Sequence, residues 1–121
     1  MTWMLMLCIL LQTPLNENQL SDRIVQAGQI VSSASIREFV LPDESRIDIE
    51  TETTSFEVEW SYKWKEAIGQ ALYYSINTGK EPGIILLQKG EPEDKINYLR
   101  CKIVCAKYGI KLITVKTKDV K

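Results

Sequence analysis

The chain contains no histidine. Its absence removes the usual general base near neutral pH, and with it the Ser-His and Cys-His nucleophile systems. Any catalysis falls to carboxylates, lysine or a metal ion. Cysteine is sparse, with only Cys8, Cys101 and Cys105. An odd set of three is no disulfide framework. Cys101 and Cys105 stand four apart in a helical pattern, make a poor zinc site without histidine, and read as buried free thiols. An excess of either charge is lacking too: 15 Lys and Arg against 16 Asp and Glu leave a net charge of -1. With no global basic field, nucleic-acid binding requires a local patch or a bound cation. The one long apolar run, Trp3 to Leu11, is too short to span a bilayer as a helix. Its length fits the apolar core of a secretory signal, but no basic residue precedes it and no convincing small-x-small cleavage site follows. Two readings of residues 1–13 stay open: a signal that exports the protein, or a packing or oligomer segment of a cytoplasmic one. The cytoplasmic reading is preferred.

What is present is the material of one ordinary domain. The chain has 121 residues, 45% hydrophobic and 26% charged, enough for one core. The domain is expected over residues 14–116, with a charged tail at 117–121. Asn16 or Asn18 caps a helix running to about Ser32, with Leu20, Ile24, Ala27 and Val31 as its buried stripe. Strands follow at Ser35–Leu41, Arg46–Glu50 and Ser55–Trp60, the last two alternating apolar and polar, with a turn at Pro42–Ser45. Tyr62 to Ile76 is helical and stops at Asn77-Thr78-Gly79. Gly83–Leu87 is apolar throughout, which suits a strand covered on both faces. Pro92 opens a further helix with Ile96, Leu99, Ile103 and Ala106 on one side, and Ile110–Val115 is the last strand. The order predicts an α/β fold: a mixed β-sheet, antiparallel meander plus parallel crossover, flanked by helices.

The meander concentrates acids. Asp48 lies on one strand, and Glu57 and Glu59 stand nine and eleven residues on, along the next. Carboxylates converging on one sheet face repel each other unless a cation or protons relieve the charge. All-oxygen donors suit Mg²⁺ or Mn²⁺, to which the Val58 carbonyl can add another ligand. Periodicity alone favours a solvated acidic strand face, since amphipathic strands routinely expose acids. The following helix weighs against that, because Lys63, Ala67, Gln70 and Tyr74 fall in one narrow sector beside its apolar face. A cation and two neutral donors near the acids suit phosphate binding.

Arg46-Ile47-Asp48, then Glu57-Val58-Glu59, then Lys63 through Tyr74 (KWKEAIGQALYY) resembles the PD-(D/E)XK nuclease superfamily, in particular small bacterial and phage members with an RxD … ExD/E … KWxEAIGQxLxY signature. The resemblance covers roughly Glu17 to Leu87. It implies a restriction-endonuclease-like core and a Mg²⁺- or Mn²⁺-dependent DNA endonuclease or exonuclease of low sequence specificity or structure selectivity. It implies that Asp48 and Glu57 hold the metal and that Glu17, on the first helix, assists. Gln70 and Tyr74 resemble the QxxxY motif that contacts nucleic acid, joined here by Lys63 and Arg46. Gly69 before Gln70 suggests a close backbone approach, since glycine destabilises a helix by about 1 kcal/mol relative to alanine. The chain departs from the pattern at Glu59, where the family has lysine. Glu59 then binds a second metal or orients water, or Lys63 supplies the ammonium. DNA is the expected partner, with a homodimer among the expectations, no nucleotide cofactor and no stable membrane span. The alternative is a non-catalytic nuclease-fold module that binds nucleic acid or protein.

Overall fold

The computed structural model describes residues 13–121. The apolar run Trp3–Leu11 and Cys8 lie outside the described residues. Helix α1 (Glu17–Ala27) is followed by strands β1 (Ile36–Val40), β2 (Arg46–Glu50) and β3 (Thr54–Trp60). A 3-10 turn at Ser61–Lys63 leads into α2 (Trp64–Thr78), β4 (Glu81–Gln88), α3 (Glu93–Tyr108) and β5 (Lys111–Lys116). The five strands form one sheet in the order β1-β2-β3-β4-β5. The β1-β2 and β2-β3 pairs are antiparallel, whereas β3-β4 and β4-β5 are parallel. The mixed α/β sheet expected from element order is therefore present. No helix among the described residues is long and apolar enough to cross a membrane.

Asn16 starts α1 through a reciprocal cap: its Oδ1 accepts from the Gln19 N–H at 2.9 Å, and Gln19 Oε1 accepts from the Asn16 N–H at 3.0 Å. The helix ends at Ala27, earlier than expected, because Gly28 takes a left-handed conformation at φ 68°. Ala27 is consequently exposed and Val25 is buried in its stead. Val31 still reaches the core from the following loop. On this side of the sheet α1 covers Ile49, Phe56, Val58, Ile85, Leu87 and Val115. On the other side α2 and α3 cover Ile84 and Leu86 with Ala67, Ala71, Cys101 and Cys105. Strand β4 is thus buried on both faces. After β5, Thr117–Asp119 form a 3-10 turn, and Val120 packs against the α1-side core rather than trailing free.

Two expectations about packing are corrected. Helix α3 does not bury Ile96, Leu99 and Ile103, which are 45%, 42% and 71% exposed, and Ala106 is exposed with them. Asp94 fixes the helix rotation: its Oδ2 accepts from the Gly90 and Glu91 N–H groups, and its Oδ1 accepts from the Ser61 hydroxyl at 2.5 Å. The face carrying Asp94 also carries Cys101 and Cys105, small side chains that approach Ala67 and Ala71 closely. The tight glycine is likewise not Gly69, where an added Cβ meets nothing within 4 Å. It is Gly83, where an added Cβ would lie 2.6 Å from the Phe56 ring and 2.7 Å from Thr54 Cγ2.

A buried charge closes the end of the meander. Glu50, 3% exposed, accepts from the Ser55 hydroxyl at 2.6 Å and faces Lys80 Nζ at 3.7 Å. Lys80 also donates to the Thr51 carbonyl at 2.7 Å. The β2-β3 turn is thereby tied to the segment entering β4.

Candidate metal centre

The β2-β3 ladder pairs Glu50 with Ser55 and Ile49 with Phe56, then stops. At the next position the Asp48 carboxylate replaces a main-chain acceptor: its Oδ2 takes the Val58 N–H at 2.8 Å. The N–H and C=O of one strand residue point to the same side. The Val58 carbonyl therefore also faces β2, into the gap beyond the ladder. The Asp48 carbonyl is held from the α1 side by the Arg37 guanidinium, which also donates to Asp22 at 2.8 Å and to the Asn18 carbonyl at 3.3 Å. Arg37 thus fixes this point of β2 against α1. No sequence pattern identifies that role, since its partners lie 11 to 19 residues away.

Glu57 and Glu59 project from the α2 side of β3 and are only 4% and 6% exposed. Glu57 meets Asp48 as expected. Burial first, then the Asp48 carboxylate, push the Glu57 carboxyl up to about 10, with Glu59 and Glu17 adding to the effect. The contact between the two carboxyl groups raises Glu57 and lowers Asp48. Asp48 is itself raised by burial, against the lowering effects of the Val58 N–H, Glu57 and Arg37. Glu17, in the first turn of α1, is pushed up to about 7 by burial and by the neighbouring Glu59, while the Lys63 ammonium opposes the shift. Glu59 Oε1 accepts from the Trp60 N–H at 3.0 Å.

Gln70 and Tyr74 approach from α2. With the amide orientation assigned from its partners, Gln70 Nε2 lies 2.5 Å and 3.1 Å from the two Glu57 oxygens. Tyr74 is almost wholly buried, and its ring packs with Leu41 and Ile47. Burial first, then Glu57, Asp48 and Asp43, raise its phenol above the ordinary range. Only its hydroxyl is directed to the acids, so its reach toward a nucleic acid is narrower than that of the exposed Gln70. Arg46 is exposed and pairs with Glu38 at 3.6 Å, on the face of β2 that carries Asp48.

The structure therefore brings together Asp48, Glu57, Glu59 and Glu17, with Lys63, Gln70 and Tyr74 around them. Four carboxyl groups share one nearby ammonium, and the raised proton affinities of Glu57, Glu17 and Asp48 express an unmet demand for positive charge. Among the described residues, however, no three Asp, Glu or Cys side chains are arranged as they stand to hold a metal ion. The donor set still fits a small, hard cation. Mg²⁺ takes one or two carboxylates and keeps several waters, and the Asp48-Glu57 pair with the Val58 carbonyl meets that need. Comparison with protein-family models, curated proteins and solved structures finds no match.

Proposed function

We propose that this protein is a Mg²⁺- or Mn²⁺-dependent deoxyribonuclease with a restriction-endonuclease-like core of the PD-(D/E)XK type. The observation that carries the reading is the Asp48-Glu57 pair. Two acids nine residues apart in sequence meet where the β2-β3 ladder opens, and burial and mutual repulsion leave Glu57 holding a proton to about 10. A cation there supplies neutralisation of phosphate charge and acidification of water. Asp48, Glu57 and the Val58 carbonyl hold it. Glu59 serves a second cation or positions the attacking water, and Glu17 assists from α1. Lys63 stabilises charge developing on the phosphate. Gln70 orients Glu57 and, with the Tyr74 hydroxyl and the outlying Arg46, lines the approach of the strand. Cleavage is weakly sequence-specific or selects DNA structure, in a monomer or a homodimer.

The lack, among the described residues, of three Asp, Glu or Cys side chains arranged to hold a metal, together with Glu59 in place of lysine, favours a second reading, a non-catalytic module that binds nucleic acid or protein. A cleavage panel of single-stranded, duplex and branched DNA with Mg²⁺ and Mn²⁺ separates the two readings. The nuclease cuts, chelator stops it, and Asp48→Asn abolishes it while the fold survives, because asparagine keeps an acceptor for the Val58 N–H. Cleavage undiminished in Asp48→Asn sinks the assignment. A calorimetric titration showing no Mg²⁺ or Mn²⁺ affinity decides for the second reading.

A further inference from the structure

The C-terminal ends of β4 and β5 open onto a cleft of about 370 Å³ that the acidic site does not use. Gln88 and Lys116 are neighbours there across the parallel ladder. Four lysines converge on its rim: Lys89 after β4, Lys95 in the first turns of α3, Lys116 at the end of β5, and Lys118 in the following 3-10 turn. Among the described residues, none of the four has a carboxylate within ion-pair distance. Two acids also line the cleft, Glu91 and Asp94. Asp94 is already committed to Ser61 and to the Gly90 and Glu91 N–H groups. Four ammonium groups therefore face solvent against one uncommitted carboxylate, on a molecule whose net charge is -1. The lysines are gathered locally rather than drawn from a general excess.

Aromatic rings adjoin two parts of this cleft: Tyr98 lines it, and Trp60 and Tyr62 lie beside Lys89 at its rim. Lys89 Nζ lies 4.5 Å from the Trp60 ring centroid and 5.8 Å from that of Tyr62. Tyr62 is 59% exposed, and Tyr98 lines the cleft. Trp60 directly follows Glu59, so this surface begins where the acid-bearing strand ends. Ammonium groups beside the half-buried Tyr98 and the exposed Tyr62 suit a chain that carries phosphates at regular intervals with unpaired bases between them. A duplex presents its phosphates on a broad cylinder and hides its base faces, so the aromatic rings would have nothing to stack on.

We infer that this lysine-aromatic cleft holds the single-stranded DNA flanking the cleavage position. The assignment rests on the nuclease reading for its substrate, and its test is independent of cleavage. Binding of a labelled oligothymidylate by the full-length protein is followed by fluorescence anisotropy in EDTA, with salt varied from roughly 50 to 200 mM, beside a duplex of equal length. The single strand binds more tightly than the duplex. The double variant Lys116→Gln/Lys118→Gln flattens the log-log salt slope by about 1.4, at about 0.7 for each phosphate left without its ammonium. Tyr62→Ala weakens binding by about 5- to 150-fold, the range for unstacking one base. Lys107→Gln, at the far end of α3, changes neither. An unchanged slope in the double lysine variant overturns the inference, and so does tighter duplex binding that the same variant weakens. Metal-dependent cleavage persisting with an unchanged KM in that variant refutes the cleft and leaves the nuclease standing. Strand binding through the cleft without cleavage under any metal refutes the nuclease and leaves the cleft standing.

Discussion

Replacing Glu57 with glutamine should stabilise the metal-free protein at neutral and alkaline pH. In the fold the Glu57 carboxyl keeps its proton to about 10, against an ordinary value of 4.5. Between those limits the unfolded chain has released a proton that the folded chain retains. Folding takes up a proton there, so stability falls as pH rises, by about 1.4 kcal/mol per pH unit for one fully shifted group. From pH 5 to pH 7 the loss from Glu57 alone is roughly 3 kcal/mol, a large share of the stability of an ordinary domain. Glu17, raised to about 7, and Asp48, also raised, act in the same direction. Glutamine mimics the protonated acid, including a donor toward Asp48, and does not titrate. Urea unfolding in EDTA at several pH values measures both proteins. Wild type should lose stability steadily above pH 5, whereas Glu57→Gln should show a shallower slope and exceed wild type by roughly 3 kcal/mol at pH 7. Saturating Mg²⁺ or Mn²⁺ should restore wild type, by about 2.7 kcal/mol at a hundredfold excess over Kd, and leave the variant nearly unmoved. A wild-type stability flat from pH 5 to pH 8, or a variant weakened equally at every pH, would refute the electrostatic account of the site.

Two further outcomes concern the frame around the site. Gly83→Ala pushes a methyl group to 2.6 Å from the Phe56 ring and should cost about 1–3 kcal/mol by overpacking; chemical denaturation measures the loss, and a smaller loss in a Phe56→Leu background identifies the ring as the cause. Lys80→Met leaves the buried Glu50 with Ser55 alone and should destabilise by about 1–3 kcal/mol, less than for a fully buried pair because Lys80 is partly solvated; calorimetric melting at pH 7 checks it, and an unchanged Tm counts against the pairing.

The strands around the site are legible in the sequence because alternation of apolar and polar residues fixes both the strand and its faces. Arg46–Glu50 and the segment through Glu57-Val58-Glu59 follow that pattern, and their nine-residue spacing is enough to bring Asp48 to Glu57. Where sequence pattern and structure diverge, a tertiary contact overrides a local period. Val31 fits the period of α1, yet Gly28 ends that helix before reaching it. Ile96, Leu99 and Ile103 fit an apolar stripe better than Cys101 and Cys105 do. Asp94, bonded to Ser61 and the Gly90 loop, nevertheless turns that stripe outward. Gly69 stands out as a glycine within a helix, but the close approach lies at Gly83, where the crowding comes from Phe56 on the neighbouring strand. Arg37 and the lysines of the β4-β5 cleft have no local signature, because each acts with residues distant in the chain.

The hydrogen bond from the Val58 N–H to Asp48 makes that acid a structural member of the sheet as well as a candidate ligand. Selection for folding alone would therefore keep Asp or Asn at position 48 long after any chemistry had been lost. Glu57 is different: buried beside another acid, it weakens the empty fold. A lineage freed from binding a cation would gain by discarding it, and drift there would be rapid. Persistence of the acid at position 57, more than at position 48, is the mark by which descendants that still use the site can be told from those that have abandoned it.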